Sequence, residues 1–186
     1  MTIRAHICAV NLNYILLCGW MFIFSQSCAG KKISVKNEKL DSELIMTSTD
    51  VSGNGKADTW RWTQRGQDGN ETLLREEIDL NSDQKVDLRK FFENGVLSRI
   101  TMDLDFDGKN DLTEFYENGA LSRMEISHNF SGKIDTWRYY EKNELLRIER
   151  DTNDDGKPDQ WIYFAQNRHE RTGKDYNFDG IVDLWE

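Results

Sequence analysis

A 24-residue period governs this chain. Six aspartates, Asp58, Asp87, Asp111, Asp135, Asp159 and Asp183, recur at intervals of 29, 24, 24, 24 and 24 residues. Five extra residues within Thr63–Arg75 account for the one long interval. Arg99, Arg123, Arg147 and Arg171 each follow an Asp by twelve residues, and Arg75 follows by twelve plus five. Leu44 falls in the column of Leu97, Leu121 and Leu145, so a half-repeat precedes the array. Self-similarity at this period marks a chain built from one supersecondary unit, each copy leaning on its neighbours.

The unit itself is β. After each Asp, residues alternate as in Thr136-Trp137-Arg138-Tyr139-Tyr140, with aromatic and β-branched types at period two. Asn94-Gly95 and Asn118-Gly119 follow, the pair that a two-residue hairpin turn with two positive φ angles requires. A second short strand returns, and an Asp-rich loop leads into the next unit. The expected fold is all-β, an antiparallel meander of repeated 24-residue hairpins. It has about ten to eleven strands, in a single twisted sheet or curled into a barrel. With the turn at Asn94-Gly95, simple counting sets Phe92 opposite Leu97, Phe91 opposite Ser98, Lys90 opposite Arg99 and Arg89 opposite Ile100. One packed face would then hold the Trp60/Trp137/Trp161/Trp185 column, the Trp62/Phe91/Phe115/Tyr139/Tyr163 column and Ile100/Met124/Ile148. These aromatics read as cross-strand packing.

The loops carry the chemistry. They run Asp50–Asp58, Asp79–Asp87, Asp103–Asp111, Ser127–Asp135, Asp151–Asp159 and Asp175–Asp183, here loops 1 to 6. Oxygen-bearing side chains stand at positions 1, 3, 5 and 9, and glycine at position 6 in five of the six. In a tightly curled loop alternate residues point inward, so these oxygens converge; the position-7 carbonyl adds another. Such an all-oxygen shell suits Ca²⁺ and not the softer transition metals. The candidate ligands are Asp103, Asp105, Asp107, Asp111 and the carbonyl of Lys109 in loop 3. Loop 2 offers Asp79, Asn81, Asp83 and Asp87, loop 5 Asp151, Asn153, Asp155 and Asp159, and loop 6 Asp175, Asn177, Asp179 and Asp183. Loop 3, with four carboxylates, is expected to be the best site. In loop 2, Gln84 takes the glycine position and should strain the turn. Loop 1 is marginal, and loop 4, which keeps only Asp135, is expected to serve as an empty turn. Asx-rich turns without metal are the alternative for the array.

The N-terminus differs from the rest. Residues 1–27 contain Arg4 and no acidic residue, so their removal takes the net charge from -9 to -10. Tyr14–Phe24 is an apolar run of eleven residues, short for a bilayer span and right for the core of a signal peptide, expected to be helical. The three cysteines are Cys8, Cys18 and Cys28. Ser25-Gln26-Ser27-Cys28 resembles a bacterial lipobox, without its usual Leu at the position of Ser25; the resemblance implies acylation of Cys28. Lipidation also explains a lone cysteine in an exported chain. The alternatives are a plain signal peptide cut elsewhere and an N-terminal membrane anchor. The organisation read here is a lipoprotein signal peptide at 1–27, a polar tether at 28–39 and the hairpin domain at 40–186. The protein is then held by lipid at the cell envelope, with the outer membrane or cell surface favoured over the inner membrane.

Asp103–Glu114 matches the loop pattern of EF-hands, and the loops as a set resemble those of EF-hands, dockerins and thrombospondin type 3 repeats. The hairpin stretch YENGALSR resembles MORN-like and YwqK-type repeats, and the whole resembles exported bacterial lipoproteins with EF-hand-like loops. The resemblance implies ligand roles at the matching positions; helices flanking the loops do not carry over. Glu114 shares a column with Arg61, Lys90, Arg138 and Ile162 and is expected to pair with Arg123 rather than ligate. The acidic balance disfavours nucleic acid. Beyond residue 28 the histidines are His128 and His169, neither in a catalytic motif, and no phosphate loop or nucleophile elbow occurs, so no enzyme is expected. The leading reading is a calcium-binding exported lipoprotein whose loops bind Ca²⁺ structurally. The alternative is a surface interaction protein, an adhesin or immunity-like binder, that works through its sheet face and uses the loops as metal-free turns; its partner is not named by the sequence.

Overall fold

The computed structural model describes residues 34–39 and 43–186. The chain divides into two units, Met1–Gly30 and Lys31–Glu186, and the second holds the fold. The signal segment, its expected helix and Cys28 lie outside the described residues.

Thirteen strands follow one another: β1 (Ser34–Lys39), β2 (Leu44–Asp50), β3 (Thr59–Arg65), β4 (Glu71–Ile78), β5 (Leu88–Glu93), β6 (Val96–Met102), β7 (Leu112–Glu117), β8 (Ala120–Ile126), β9 (Thr136–Glu141), β10 (Glu144–Arg150), β11 (Gln160–Ala165), β12 (Arg168–Lys174) and β13 (Leu184–Trp185). They pair in sequence order in one antiparallel sheet that does not close into a barrel. The sheet begins earlier than the sequence reading placed it: β1 arises within the segment read as tether and pairs with β2 from Ser34–Asp50 to Lys39–Ile45.

Hairpin tips and loops occupy opposite edges of the sheet. The tips have paired positive φ angles, 52° and 79° at Asn94-Gly95, and even 52° and 58° at Gln166-Asn167, where no glycine is present. Just past each of the five tips from β3–β4 onward the register slips by one residue. Phe92 pairs with Leu97 but Phe91 pairs with Arg99, leaving Ser98 as a bulge; Ser122 and Leu146 take the same place in the next two hairpins. The Ser98 and Ser122 hydroxyls donate to the carbonyls of Phe91 and Phe115 at 3.2 and 3.1 Å, which ties the bulge to the partner strand.

The bulge corrects the register obtained by counting. Lys90 lies opposite Ile100, not Arg99, and Arg89 opposite Thr101, not Ile100. Ile100, Met124 and Ile148 therefore sit on the face opposite the Trp column, with which the arginines now share a face. On that face a row alternates across the sheet: Trp62, Arg75, Phe91, Arg99, Phe115, Arg123, Tyr139, Arg147, Tyr163, Arg171. Each guanidinium lies over a ring, at 3.9 Å for Arg75 on Trp62, 4.2 Å for Arg99 on Phe91 and 4.9 Å for Arg171 on Tyr163. Stacking of this kind is worth about 0.5–1 kcal/mol at exposed positions. Along the same strands, Glu125 in β8 and Glu149 in β10 anchor Arg123 and Arg147 at 3.1 and 3.0 Å.

There is no second layer among the described residues. Of the large apolar side chains among the described residues only Ile100 and Ile148 are buried; the other buried side chains are those of Asp, Ser and Thr. A sheet with both faces half-exposed is held by ladders, cross-strand pairs and turns rather than by a conventional core.

Candidate metal centre

The interior of this protein is acidic. The position-1 and position-9 aspartates of loops 1, 2, 3 and 5 are all buried, and Asp111 is wholly inaccessible. The loop geometry explains this. Position 4 takes positive φ in every loop, from Gly53 (77°) through Phe106 (66°) to Phe178 (61°), and so does position 6, at 91° in Gly55 and 96° in Gly108. Two left-handed residues curl the backbone over the first and ninth side chains. Gln84 is held at φ 74° without being glycine, the strain expected for loop 2. An added Cβ on Gly108 would meet nothing within 4 Å, so the requirement there is backbone conformation and not space.

Inside the curl, backbone N–H groups feed the carboxylates. In loop 2, Asp79 accepts from Ser82 (2.6 Å) and Gln84 (2.8 Å), and Asp87 from Leu80 (2.7 Å) and Asn81 (3.4 Å). Loops 1, 5 and 6 repeat this, with Asp50 taking Gly53 and Gly55, Asp151 taking Gly156, and Asp175 taking Phe178 and Gly180. At Asp50 and Asp58 burial works to raise the pKa, and the hydrogen bonds outweigh it and hold both below the ordinary carboxylate value. Positions 3 and 5 form Asx turns, as when Asn153 accepts from Asp155 N–H and Asp155 from Lys157 N–H at 3.0 and 2.8 Å.

Loop 3 is different. Asp103 accepts one N–H, from Gly108 at 2.7 Å, and Asp111 one, from Leu104 at 2.8 Å. The Oδ1 atoms of Asp103 and Asp111 are buried and have no hydrogen-bond partner. One carboxylate oxygen from each of Asp103, Asp105 and Asp111 lies within 4.8 Å of the others, so these three side chains could hold a metal ion. Buried anionic oxygens without donors are costly, and crowding three carboxylates adds repulsion. A cation at their centre removes both penalties.

The carboxylate of Asp107, the remaining acidic candidate of loop 3, and that of Glu114 lie outside this cluster. Asp107 accepts from Lys109 twice, from N–H and Nζ, both at 2.8 Å, and these bonds hold its pKa down. Glu114 does not meet Arg123: it lies opposite Met124 and accepts from Tyr116 Oη at 2.6 Å. Burial, followed by that carboxylate, pushes the Tyr116 phenol up to about 12. The sequence-derived sets of loops 2, 5 and 6 fold into the same curl, with their carboxylates committed to N–H donors.

Loop 4 keeps the curl with other chemistry. Ser127 is buried and its hydroxyl donates to Asn129 Oδ1 at 3.1 Å. Asp135 takes the N–H of His128 at 2.8 Å and lies 2.7 Å from His128 Nδ1. Burial raises the Asp135 pKa, and the hydrogen bonds of His128 and Thr136 more than offset it. Lys133 reaches into loop 5 and bonds the carbonyl and carboxylate of Asp154, the latter at 2.8 Å. Sequence reasoning missed this cross-loop pair, although a lysine at position 7 in five loops was its signal.

No family profile and no curated protein matches this chain. Among solved structures, it is similar to a mutant of S. aureus TarM in complex with fondaparinux, alpha-GlcNAc-glycerol and UDP, at 11% identity and a TM-score of 0.39, over 60% of this chain and 21% of that one. It is also similar to the accessory secretory protein 1, 2 and 3 structure of Streptococcus pneumoniae, at 16% identity and a TM-score of 0.31, over 63% of this chain and 19% of that one. The chain spans about a fifth of either, and likenesses this slight bear on neither function nor partner.

Proposed function

We propose that this protein is a calcium-binding exported lipoprotein, anchored through Cys28, whose Asp-rich loops bind Ca²⁺ as structural ions. The observation that carries the reading is the pair of partnerless buried oxygens, Asp103 Oδ1 and Asp111 Oδ1, beside Asp105. Three hard carboxylate ligands on a flexible turn favour Ca²⁺ over Mg²⁺, which demands tighter octahedral geometry, and over softer metals. Loop 3 is the strongest site. The remaining loops bind more weakly, because the ion must compete with N–H donors already in place. An affinity of about 10⁻⁴–10⁻³ M suits an extracellular module. Calorimetric titration of the protein with CaCl₂ tests this, with Asp111→Asn as the control. Saturable heat that the substitution largely removes is the expected result; no heat at millimolar calcium refutes the reading.

A second reading draws on the self-satisfied loops 1, 2, 5 and 6: the loops act as turns and the uncovered sheet face binds a protein. A partner captured equally well in chelator would favour it.

A further inference from the structure

Eight of the thirteen exposed large apolar residues lie in the loops, among them Leu80, Leu104, Phe106, Phe130, Tyr176 and Phe178. All but Ile181 stand at positions 2 and 4. Position 4 makes the choice of residue unusual. It demands positive φ, which Gly53, Ser82 and Asp154 accept readily, yet Phe106, Phe130 and Phe178 hold it at 66°, 56° and 61° with 41–48% of their surface exposed. A bulky side chain in the left-handed region, half in water, gains little locally. The opposite edge is polar, with tips such as Asn94-Gly95 and Gln166-Asn167, and the exposed apolar residues near a tip are Val96 and Leu146.

The entry of the chain into the sheet selects the occupant. Ser34, the first residue of β1, pairs with Asp50, the first residue of loop 1, so the chain joins the sheet at the loop edge. Five residues lie between Cys28 and Ser34, a span of six residue steps. At up to about 3.6 Å per residue, a lipid on Cys28 is tied within roughly 22 Å of that edge. Lys85, Lys109 and Lys133 at position 7 are paired with Asp83, Asp107 and Asp154, so little positive charge at this edge is free to attract anionic lipid. The net charge of -9 disfavours an anionic lipid surface and leaves a zwitterionic one as the fit.

We propose that the loop edge is a bilayer-docking edge, whose apolar side chains at positions 2 and 4 enter the interface of a zwitterionic membrane. The proposal rests on the lipid-anchor reading for its geometry. It is tested with the full chain on phosphatidylcholine vesicles, carrying a solvatochromic amino acid in place of Phe106, Tyr176 or, at the opposite edge, Glu117. The expected result is blue-shifted emission, quenched by doxyl-labelled lipid, at 106 and 176 and not at 117. If the protein sediments with vesicles and no probe is quenched, docking is overturned and the anchor stands; the apolar edge then faces another protein. If Cys28→Ser still sediments with its loop probes quenched, docking holds without help from the anchor. If the unmodified chain does not sediment at all, both fall.

Discussion

Loops 3 and 4 are successive copies of one turn with opposite electrostatics. Both hold positions 4 and 6 at positive φ, and both place their ninth-position aspartate N–H on the preceding strand, Asp111 on Met102 and Asp135 on Ile126. In loop 3 two carboxylate oxygens are left buried without donors. In loop 4, Ser127 replaces the first carboxylate and His128 supplies a ring nitrogen to Asp135. The curl therefore does not need an ion. Asx turns, left-handed residues and the inter-strand ladder suffice to form it, and the excess of carboxylate in loop 3 is what calls for a cation.

The largest expected effect breaks this contrast directly. Calcium at about a hundred times its Kd should stabilise the protein by about 2.7 kcal/mol, or roughly 5–10 °C in Tm. Asp111→Asn should remove most of that rise, leaving what the weaker loops supply, and in chelator should leave stability unchanged or improved, because a partnerless buried charge is gone. Asp135→Asn should leave the calcium response intact. Melting followed by circular dichroism, with NaCl at matched ionic strength, checks all three; equal rises with both salts would sink the structural ion.

Next come the turns themselves. Gln84→Gly should stabilise loop 2, and Gly108→Ala destabilise loop 3, each by about 1–2 kcal/mol, since the left-handed cost is removed in one and imposed in the other. Urea unfolding measures both, and a neutral Gly108→Ala would show that loop 3 does not depend on this conformation. Acid sensitivity should then separate the two loops. The folded pKa of Asp135 lies below its unfolded value, so its contribution is present above the usual carboxylate range and is lost as pH falls through the folded value. His128→Ala should thus move the acid-unfolding midpoint to higher pH. The smallest effect is alkaline. The Tyr116 pKa is raised to about 12, so its contribution is full below pH 10 and is lost between there and about 12. Tyr116→Phe should flatten that portion of the stability profile, and absorbance titration should show that it removes a late-titrating phenol, while Tyr139, also raised by burial and Glu149, remains.

Much of this was legible in the residues. The Asp spacing and the Asn-Gly pairs define hairpins in series, and the meander follows because such short links allow little else. The bulge was not legible. Ser98 is an ordinary strand residue, and only the observed Phe91–Arg99 pairing shows that it stands out of the ladder. One such slip exchanges the faces of everything beyond it, which is how the arginines came to share a face with the aromatics. The site was partly legible. Asp103, Asp105 and Asp111 cluster as the spacing implies, while Asp107 turns to Lys109 and Glu114 to Tyr116. Those outcomes depend on which cation or hydroxyl lies nearest in space, and loop spacing alone does not encode that.

Every strand of this sheet touches only its predecessor and successor, and the loops join the same way, Asp103 N–H to the carbonyl of Asp87 and Ser127 N–H to that of Asp111. Such an assembly behaves as a zipper. Its free energy is nearly a sum over adjacent hairpins, so it can nucleate at any repeat and grow outward without waiting for distant segments to meet. Under tension applied at its two ends it would open hairpin by hairpin, each step releasing a similar length of chain, with any ion-bearing turn as the tooth that lets go last.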